Sequence, residues 1–555
     1  APNRAEDFLR QHPFVDICCR GEGEQVFLRI LETYPSRDWS GIPSISFLDQ
    51  DRRFTANPLV DRLKDLNVLP SPYLEGTFEP LMQANPQVQW LALWETNRGC
   101  PFHCTFCEWG AAIQTKLTQF DMERLTREVE WFAEKKIEFI FCCDANFGIL
   151  HRDLDIAQHV AETKRKRGYP RALSVQGTKN ATERAYRVQK ILADAGLNKG
   201  VAIALQSLDP TTLKNIRRQN ISTETYQELQ RRFARDRVET FTDIILGLPG
   251  ETYDSFVEGV SKIIADGQHN RIQFINLAIL PNAEMGDPTY QRKFGMVIVE
   301  TQIINIHGSL AESKDDVHET QQLVVATNTM PPADWVRTRT FSWMTALLHF
   351  DKLLQIPLVL LHEVTGLSYR DLLEAFSKGD LAAFPILSET RDFFDEQARN
   401  IQAGGPEYTR SEECLNIWWP TDEYVFIQLA RKGRLEAFYQ EAESLLARLL
   451  REKFVEVEPE LLRDAVTLNK SLLKQPFQTE DLELALSYNI WEFYRGVLEG
   501  ASVPLEEKQS CYLIDRTREK WTTWDDWCRE VVWYGNKRGA YLYNARPVAR
   551  ETPGR

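Results

Sequence analysis

At 555 residues the chain is too long for one ordinary hydrophobic core, so two or three domains are expected. Its 43% apolar and 26% charged residues, without low-complexity runs, describe a soluble globular protein. A net charge of −14 and a pI near 5.4 weigh against a grip on phosphate backbones, and no nucleic-acid partner is expected.

The chain opens with Ala1-Pro2-Asn3-Arg4, which has neither an initiator methionine nor the apolar stretch of a secretory signal. Either the start has been removed or a longer protein is being read in part. Val15-Asp16-Ile17-Cys18-Cys19 predicts a strand, followed by Gly21-Glu22-Gly23-Glu24 and a helix to about Thr33. Residues 1–36 thus read as the remnant of an N-terminal α/β domain. Pro- and Gly-containing sequence across 37–86 reads as a linker and packing segment.

Between 87 and 306 the pattern becomes regular. β-rich runs at 88–95, 137–142, 173–176, 201–206, 240–246 and 271–277 alternate with helical periodicity at 121–134, 154–167, 181–195, 223–234 and 253–265. Asp121 and Asp153 are placed as N-caps, and Gly196 and Gly267 stand where helices should stop. The fold class is therefore α/β, a parallel (β/α)6 barrel, partial or closed, with right-handed crossovers. Its chemistry is expected at the C-terminal ends of the strands. From 307 to 555 helical stretches dominate and nine tryptophans accumulate, so a separate, mainly helical C-terminal domain is expected. Those tryptophans read first as core, then as interface anchors or a pocket wall, with Trp418-Trp419 beside Pro420 the pair of interest. The most apolar run, 353–361, falls far short of the ~20 residues that cross a bilayer, and no membrane span is expected.

Ten cysteines in so long a chain do not make a disulfide framework, and three of them fall within eight residues. That clustering suits a metal site in a reducing compartment, the cytoplasm. Asn97-Arg98-Gly99-Cys100-Pro101-Phe102-His103-Cys104-Thr105-Phe106-Cys107 directly follows the first barrel strand. A 4Fe-4S cube normally takes four thiolates. Three from one short loop leave an iron open to an amine and carboxylate chelate, such as the methionine part of S-adenosylmethionine. Two alternatives stay open on the residues alone: a structural zinc site completed by His103, and three buried free thiols.

The loop resembles the signature of the radical S-adenosylmethionine superfamily, and neighbouring segments resemble the subgroup that carries a cobalamin-binding domain ahead of the barrel. The resemblance covers roughly residues 12–290. It implies that Cys100, Cys104 and Cys107 ligate the cluster. Cys142-Cys143-Asp144-Ala145-Asn146-Phe147-Gly148 ends the second strand, where the superfamily holds the amine of S-adenosylmethionine; Asp144 and Asn146 fit as acceptors, though an Asp/Asn turn is the plainer reading. At the fourth strand, Gln206-Ser207 resembles the family's "ES", with Gln206 in place of the usual Glu. Ser207 is assigned to the ribose or carboxylate, and Arg217 or Arg218 to the carboxylate, a solvated basic face being the alternative. Gly247-Leu248-Pro249-Gly250-Glu251-Thr252 after strand five resembles the family's GLPGET, with Gly247 and Gly250 letting backbone approach the adenosine. Pro281 lies in a segment that resembles the one packing along the adenine.

Val15 to Glu24 resembles the junction near the end of the subgroup's cobalamin domain. The resemblance therefore implies a cluster, S-adenosylmethionine and, in the full-length protein, cobalamin. The expected reaction is cobalamin-dependent methylation of an unactivated carbon in a small-molecule, lipid or peptide substrate, with an electron donor such as flavodoxin or ferredoxin. A non-methylating radical enzyme is the alternative, and a non-catalytic iron–sulfur sensor or scaffold a further one. A tRNA methylthiotransferase would bring more N-terminal cysteines and a basic RNA-binding module. No catalytic side chain is assigned, and Cys414, Cys511 and Cys528 are too widely spaced to predict a second cluster.

Overall fold

Apolar residues spaced for helices and β-rich runs between them fold as the periodicity predicts, and the short segments fold in ways that periodicity does not reveal. The computed structural model describes residues 4–109, 116–178, 183–198, 200–311, 317–536 and 539–548. Positions 1–3 and 181–182, which the sequence reading touched, lie outside the described residues. Contacts divide the chain into two units, taken here one at a time. The first is Ala1–Asn198, Ile216–Gln219 and Ile279–Lys293; the second is Lys199–Asn215, Asn220–Ala278 and Phe294–Arg555.

In the first unit, strand β1 (Ile17–Cys19) pairs antiparallel with β2 (Ile45–Leu48), which pairs antiparallel with β3 (Phe54–Ala56). Ile42, Ile45 and Phe47 bury against Val26 of the helix Glu24–Thr33. Strands β2 and β3 escaped the sequence reading because three or four residues with interspersed Ser and Thr give no alternation to detect. Next come three parallel strands, β4 (Leu91–Trp94), β5 (Phe139–Cys142) and β6 (Ala172–Ser174), in the order β4-β5-β6. Helices α1 (Met122–Glu134), α2 (Asp153–Arg167) and α3 (Glu183–Asp194) form one core with them through Trp94, Phe132, Ile140, Val160, Leu173 and Leu192. The buried Glu128 is fully engaged: Trp94 Nε1 donates to it at 2.8 Å, Ser71 Oγ at 2.6 Å and Arg124 Nε at 2.9 Å.

In the second unit, β7 (Val201–Ala202), β8 (Thr240–Leu246) and β9 (Ile272–Asn276) are again parallel, in the order β9-β8-β7. Helices α4 (Thr223–Arg235) and α5 (Tyr253–Ala265) lie between them in sequence, α5 opening on a capping box of Thr252 and Ser255. The expected fourth strand ends at Ala202, and the pairing resumes at Gln206, which takes φ +66, as a single bridge to Ile244. The rest of this unit is rich in helices but also holds strands. Val297–Gln302 pairs with Thr320–Ala326, and Leu482–Tyr488, Glu507–Ile514 and Ala545–Pro547 form an antiparallel sheet. Of the nine tryptophans, Trp335, Trp343, Trp419, Trp491, Trp521 and Trp527 are buried, which makes them core. No single helix among the described residues is long and apolar enough to cross a membrane.

Candidate functional site

The three-cysteine loop leaves the C-terminal end of β4. Gly99 sits at φ +123, and a Cβ there would meet the backbone oxygen of Lys116 at 2.7 Å, so only glycine lets the chain enter the loop. Cys100 is 1% exposed and Cys104 6% exposed, while Cys107 is partly buried. Thr105, buried between the cysteines, ties the loop to two distant segments of the same unit. Its N–H donates to Ile216 O at 3.1 Å, its carbonyl accepts from Met285 N at 3.0 Å, and its hydroxyl meets Tyr290 OH at 3.0 Å. Glu108 Oε1 accepts from Asn282 N at 2.8 Å. The segments expected to carry Arg217 and Pro281 are thus stitched to the cysteine loop.

The end of β5 supplies the floor. Asn146 is buried and its Nδ2 donates to Cys100 Sγ at 3.2 Å. Asp144 faces the strand–loop junction. Its Oδ1 accepts from Thr96 N at 2.8 Å and Asn97 N at 3.1 Å, its Oδ2 from Asn97 Nδ2 at 2.7 Å, and the Thr96 hydroxyl also donates to it. Burial pushes the Asp144 carboxyl up to about 6, against the pull of those donors. Asp153 is the first residue of α2, with Arg152 as the cap residue, and its Oδ2 accepts from Gly148 N at 2.8 Å and Leu150 N at 2.9 Å. That bonding fixes the turn after Asn146.

Arg217 takes φ +51 and forms a two-pronged pair with Glu284 at 2.7 and 2.9 Å, both side chains exposed at their tips. The neighbouring Arg218 is the buried one. Pro281 is exposed, and its carbonyl oxygen lies so close to Gly286 that a Cβ there would meet it at 2.5 Å.

The remaining expected residues lie in the second unit. Ser207 is buried at the end of the β7 segment, where its Oγ accepts from Asp209 N at 3.0 Å and its carbonyl from Asn220 Nδ2 at 2.8 Å. Gly247 and Gly250 follow β8 at φ +93 and +96; a Cβ on Gly250 would meet Asn215 Nδ2 at 2.6 Å. Between them and α5 lies Glu251, 1% exposed, whose Oε1 accepts from Ser255 Oγ at 2.8 Å. Burial raises it to about 7, partly offset by Ser207 and Ser255. Ser207 lies close enough to favour the ionised form without completing a hydrogen bond to Oε2, which has no partner among the described residues. Gln206 Oε1 is likewise buried and without a partner.

The donor set can be tested against the metal alternatives. His103 is exposed, and among the described residues no three His, Cys, Asp or Glu groups converge on one ion. A cube places each thiolate on its own iron, and three cysteines from one loop are a donor set of the kind it takes. All ten cysteines lie outside disulfides.

Comparison with known proteins decides between these chemistries. Residues 94–263 match the family described as the Radical SAM superfamily. The chain carries a radical SAM domain. It is 36% identical over 372 residues to "Cobalamin-dependent radical SAM methyltransferase TokK" of Streptomyces tokunonensis, covering 66% of this chain and 54% of that protein. It is 37% identical over 352 residues to "2-(S-pantetheinyl)-carbapenam-3-carboxylate methyltransferase" of Streptantibioticus cattleyicolor, covering 63% and 51%. The chain thus spans about half the length of the curated relatives it matches. Among solved structures it is similar to the radical S-adenosylmethionine methyltransferase TsrM of Kitasatospora setae (TM-score 0.43, 17% identity, 71% of this chain and 80% of that one). The cobalamin-dependent radical enzyme OxsB gives TM-score 0.44, 13% identity, 84% and 69%.

Within the radical SAM domain the sequence reading brought out the cysteines and the strand-end motifs, and missed how they are held. Asn97 is an ordinary polar residue in the sequence, Asp153 reads there only as a helix cap, and only contacts from residues 48 and 47 positions away turn Asp144 into an anchor for Thr96 and Asn97. Glu251 was legible as part of the Gly-Leu-Pro-Gly-Glu turn, but its burial was not.

Proposed function

We propose that this chain is the catalytic part of a cobalamin-dependent radical SAM methyltransferase acting on an unactivated carbon of a small molecule. The observation that carries the reading is the strand-end loop of three cysteines whose first sulfur receives a hydrogen bond from Asn146. The 36% and 37% identities to two methyltransferases support the reaction class. One of those relatives is named for a pantetheinyl carbapenam carboxylate; for this chain we assign only the class, a small organic acceptor.

In this reading Cys100, Cys104 and Cys107 hold three irons of a 4Fe-4S cluster, leaving the fourth for S-adenosylmethionine. A cluster held by these residues would supply one-electron reduction of the sulfonium, with methionine as the leaving group. Asn146 stabilises the thiolate it touches, since a donor aimed at sulfur offsets negative charge. Asp144 acts as a positioning residue, pinning Thr96 and Asn97 just ahead of the first cysteine. Arg217, paired with Glu284, or the buried Arg218 is assigned to the carboxylate. By the resemblance, Pro281 in the first unit and Ser207, Gly247 and Gly250 in the second are each assigned to the nucleoside. Residues 1–36 close a cobalamin-binding α/β domain, the electron donor is a flavodoxin or ferredoxin, and the compartment is the cytoplasm.

The test is anaerobic reconstitution of the full-length protein with iron, sulfide and cobalamin, followed by turnover with methyl-deuterated S-adenosylmethionine under strong reductant. Deuterated product together with 5′-deoxyadenosine is expected, and omission of cobalamin should abolish product. Deoxyadenosine without label in the product would remove the methylation reading and leave the radical one. Failure to form any deoxyadenosine would remove both.

A further inference from the structure

A cavity of about 340 Å³ lies wholly within the second unit, along β9 and beside the start of the helix Thr421–Arg431. Its wall carries charges of both signs. Asp351 and Asp422 are buried carboxylates, and Arg271 and Arg339 are guanidinium groups. None of the four is ion-paired with another among the described residues, although opposite charges share one small space. Three buried polar atoms on the wall also have no hydrogen-bond partner among the described residues. They are Asp351 Oδ2 (residue 2% exposed), Arg339 Nε (7%) and Asn276 Oδ1 (4%).

The rest of the wall is built and satisfied. Glu407 accepts from Asn276 Nδ2 at 2.7 Å and Gln321 Nε2 at 2.5 Å, which turns the Asn276 carbonyl oxygen outward from that pair. Arg339 lies flat over the Trp343 ring at 4.2 Å, and its Nη1 reaches Phe274 O at 3.4 Å. Glu423 is occupied by His307 Nε2 at 2.8 Å; backbone N–H groups hold Asp422 at the start of its helix, and Asp351 has the Tyr541 hydroxyl nearby but keeps Oδ2 without a partner among the described residues. Burial and mutual repulsion hold Asp351 well above the usual carboxylate range, and burial raises Asp422. A buried charge or polar atom without a partner is unfavourable by several kcal/mol in general, so native structures seldom keep three or more around one cavity without something to satisfy them.

We infer that this cavity binds a short, peptide-like zwitterion: an ammonium group toward Asp351 and Asp422, an amide N–H toward Asn276 Oδ1, and a carboxylate toward Arg271 and Arg339. Each end of the ligand would face two groups of the complementary type, acids for the ammonium and guanidinium groups for the carboxylate; the unpaired acceptor matches an amide donor, and Phe274 and Ile303 offer apolar surface to a side chain. The site stands on residues of the second unit alone and requires neither cluster nor cobalamin.

Binding to the full chain is measured by calorimetry and thermal shift with trialanine, N-acetyl-trialanine and trialanine amide as probes. Free trialanine should bind in the millimolar range or better and raise the melting temperature. Capping either end removes a charge-assisted contact and should weaken binding about tenfold or more. Arg271→Met, on a half-buried residue and with its fold checked by circular dichroism, should weaken free trialanine to the same degree, and Asn276→Leu should do so independently. The assignment is overturned if trialanine fails to bind at millimolar concentration, if the capped peptides bind as well as the free one, or if the folded Arg271→Met protein binds unchanged. Because no turnover is read, a negative result here leaves the radical chemistry untouched, and the converse also holds.

Discussion

Asn146 and Glu251 show how much single buried side chains decide. The Asn146 amide donates to Cys100 Sγ at 3.2 Å, a bond that favours the more negative, reduced state of a cluster bound there. Asn146→Ala should leave iron content near that of the parent and move the reduction potential down. With about 1 kcal/mol of differential stabilisation lost, the shift is about 40 mV for one electron, read by a redox titration followed by electron paramagnetic resonance. Glu251 is held protonated up to about 7 in the fold, against an ordinary value of 4.5. Below about 4.5 both folded and unfolded chains bind that proton, and the residue contributes no pH dependence. As pH rises toward 7 the unfolded chain releases it more readily, so the folded state is progressively disfavoured. Glu251→Gln should abolish that decline and be more stable than the parent at about pH 8, by on the order of 2 kcal/mol. Denaturation midpoints at both pH extremes test this: equal pH slopes in the two proteins would show that Glu251 ionises freely.

Elements are joined to the site through backbone that tolerates little change. The turn from β4 into the cysteine loop passes Gly99, whose φ of +123 and 2.7 Å approach to the Lys116 carbonyl leave no space for a methyl group. Gly99→Ala should destabilise the protein by about 2 kcal/mol and lower iron incorporation on reconstitution, since strained backbone and a backbone clash act together. Full iron loading with an unchanged unfolding midpoint would show that the turn can relax. The β-rich runs and helical periods placed all six parallel strands and their helices, with α5 bounded as expected at Tyr253 and Ala265. The boundaries moved where side chains far away intervened. Asp153 was expected outside α2 as its cap and instead lies in its first turn, because Gly148 and Leu150 amides draw its carboxylate back toward the loop. The strands Ile45–Leu48 and Phe54–Ala56 are too short for a periodic signal and exist through their pairing with Ile17–Cys19.

Across the whole molecule the aromatic residues of the second unit organise the core. Trp527 is fully buried, donates through Nε1 to Lys474 O at 3.0 Å, and meets Phe426 edge-on at 5.3 Å. Trp527→Ala should destabilise that unit by about 3–5 kcal/mol, the range for removing a large buried aromatic, and lower the melting temperature accordingly. A loss under about 1 kcal/mol would mean that the surroundings collapse into the space or that the ring is not core. The reading of the tryptophans as core was available from composition alone. Which of them would be half-buried, as Trp418, Trp524 and Trp533 are, was not.

The amino-acid sequence by itself determined the six parallel strands, the position of the three cysteines at a strand end, and the Gly-Leu-Pro-Gly turn. Those features are local, set by periodicity, turn chemistry and spacing within a few residues. Tertiary structure alone decided that Asp144 anchors Thr96 and Asn97, that Arg217 pairs with Glu284 while Arg218 is buried, and that Asp351, Asp422, Arg271 and Arg339 line one cavity. Each of these depends on burial and on partners tens of residues away, and a linear pattern carries neither.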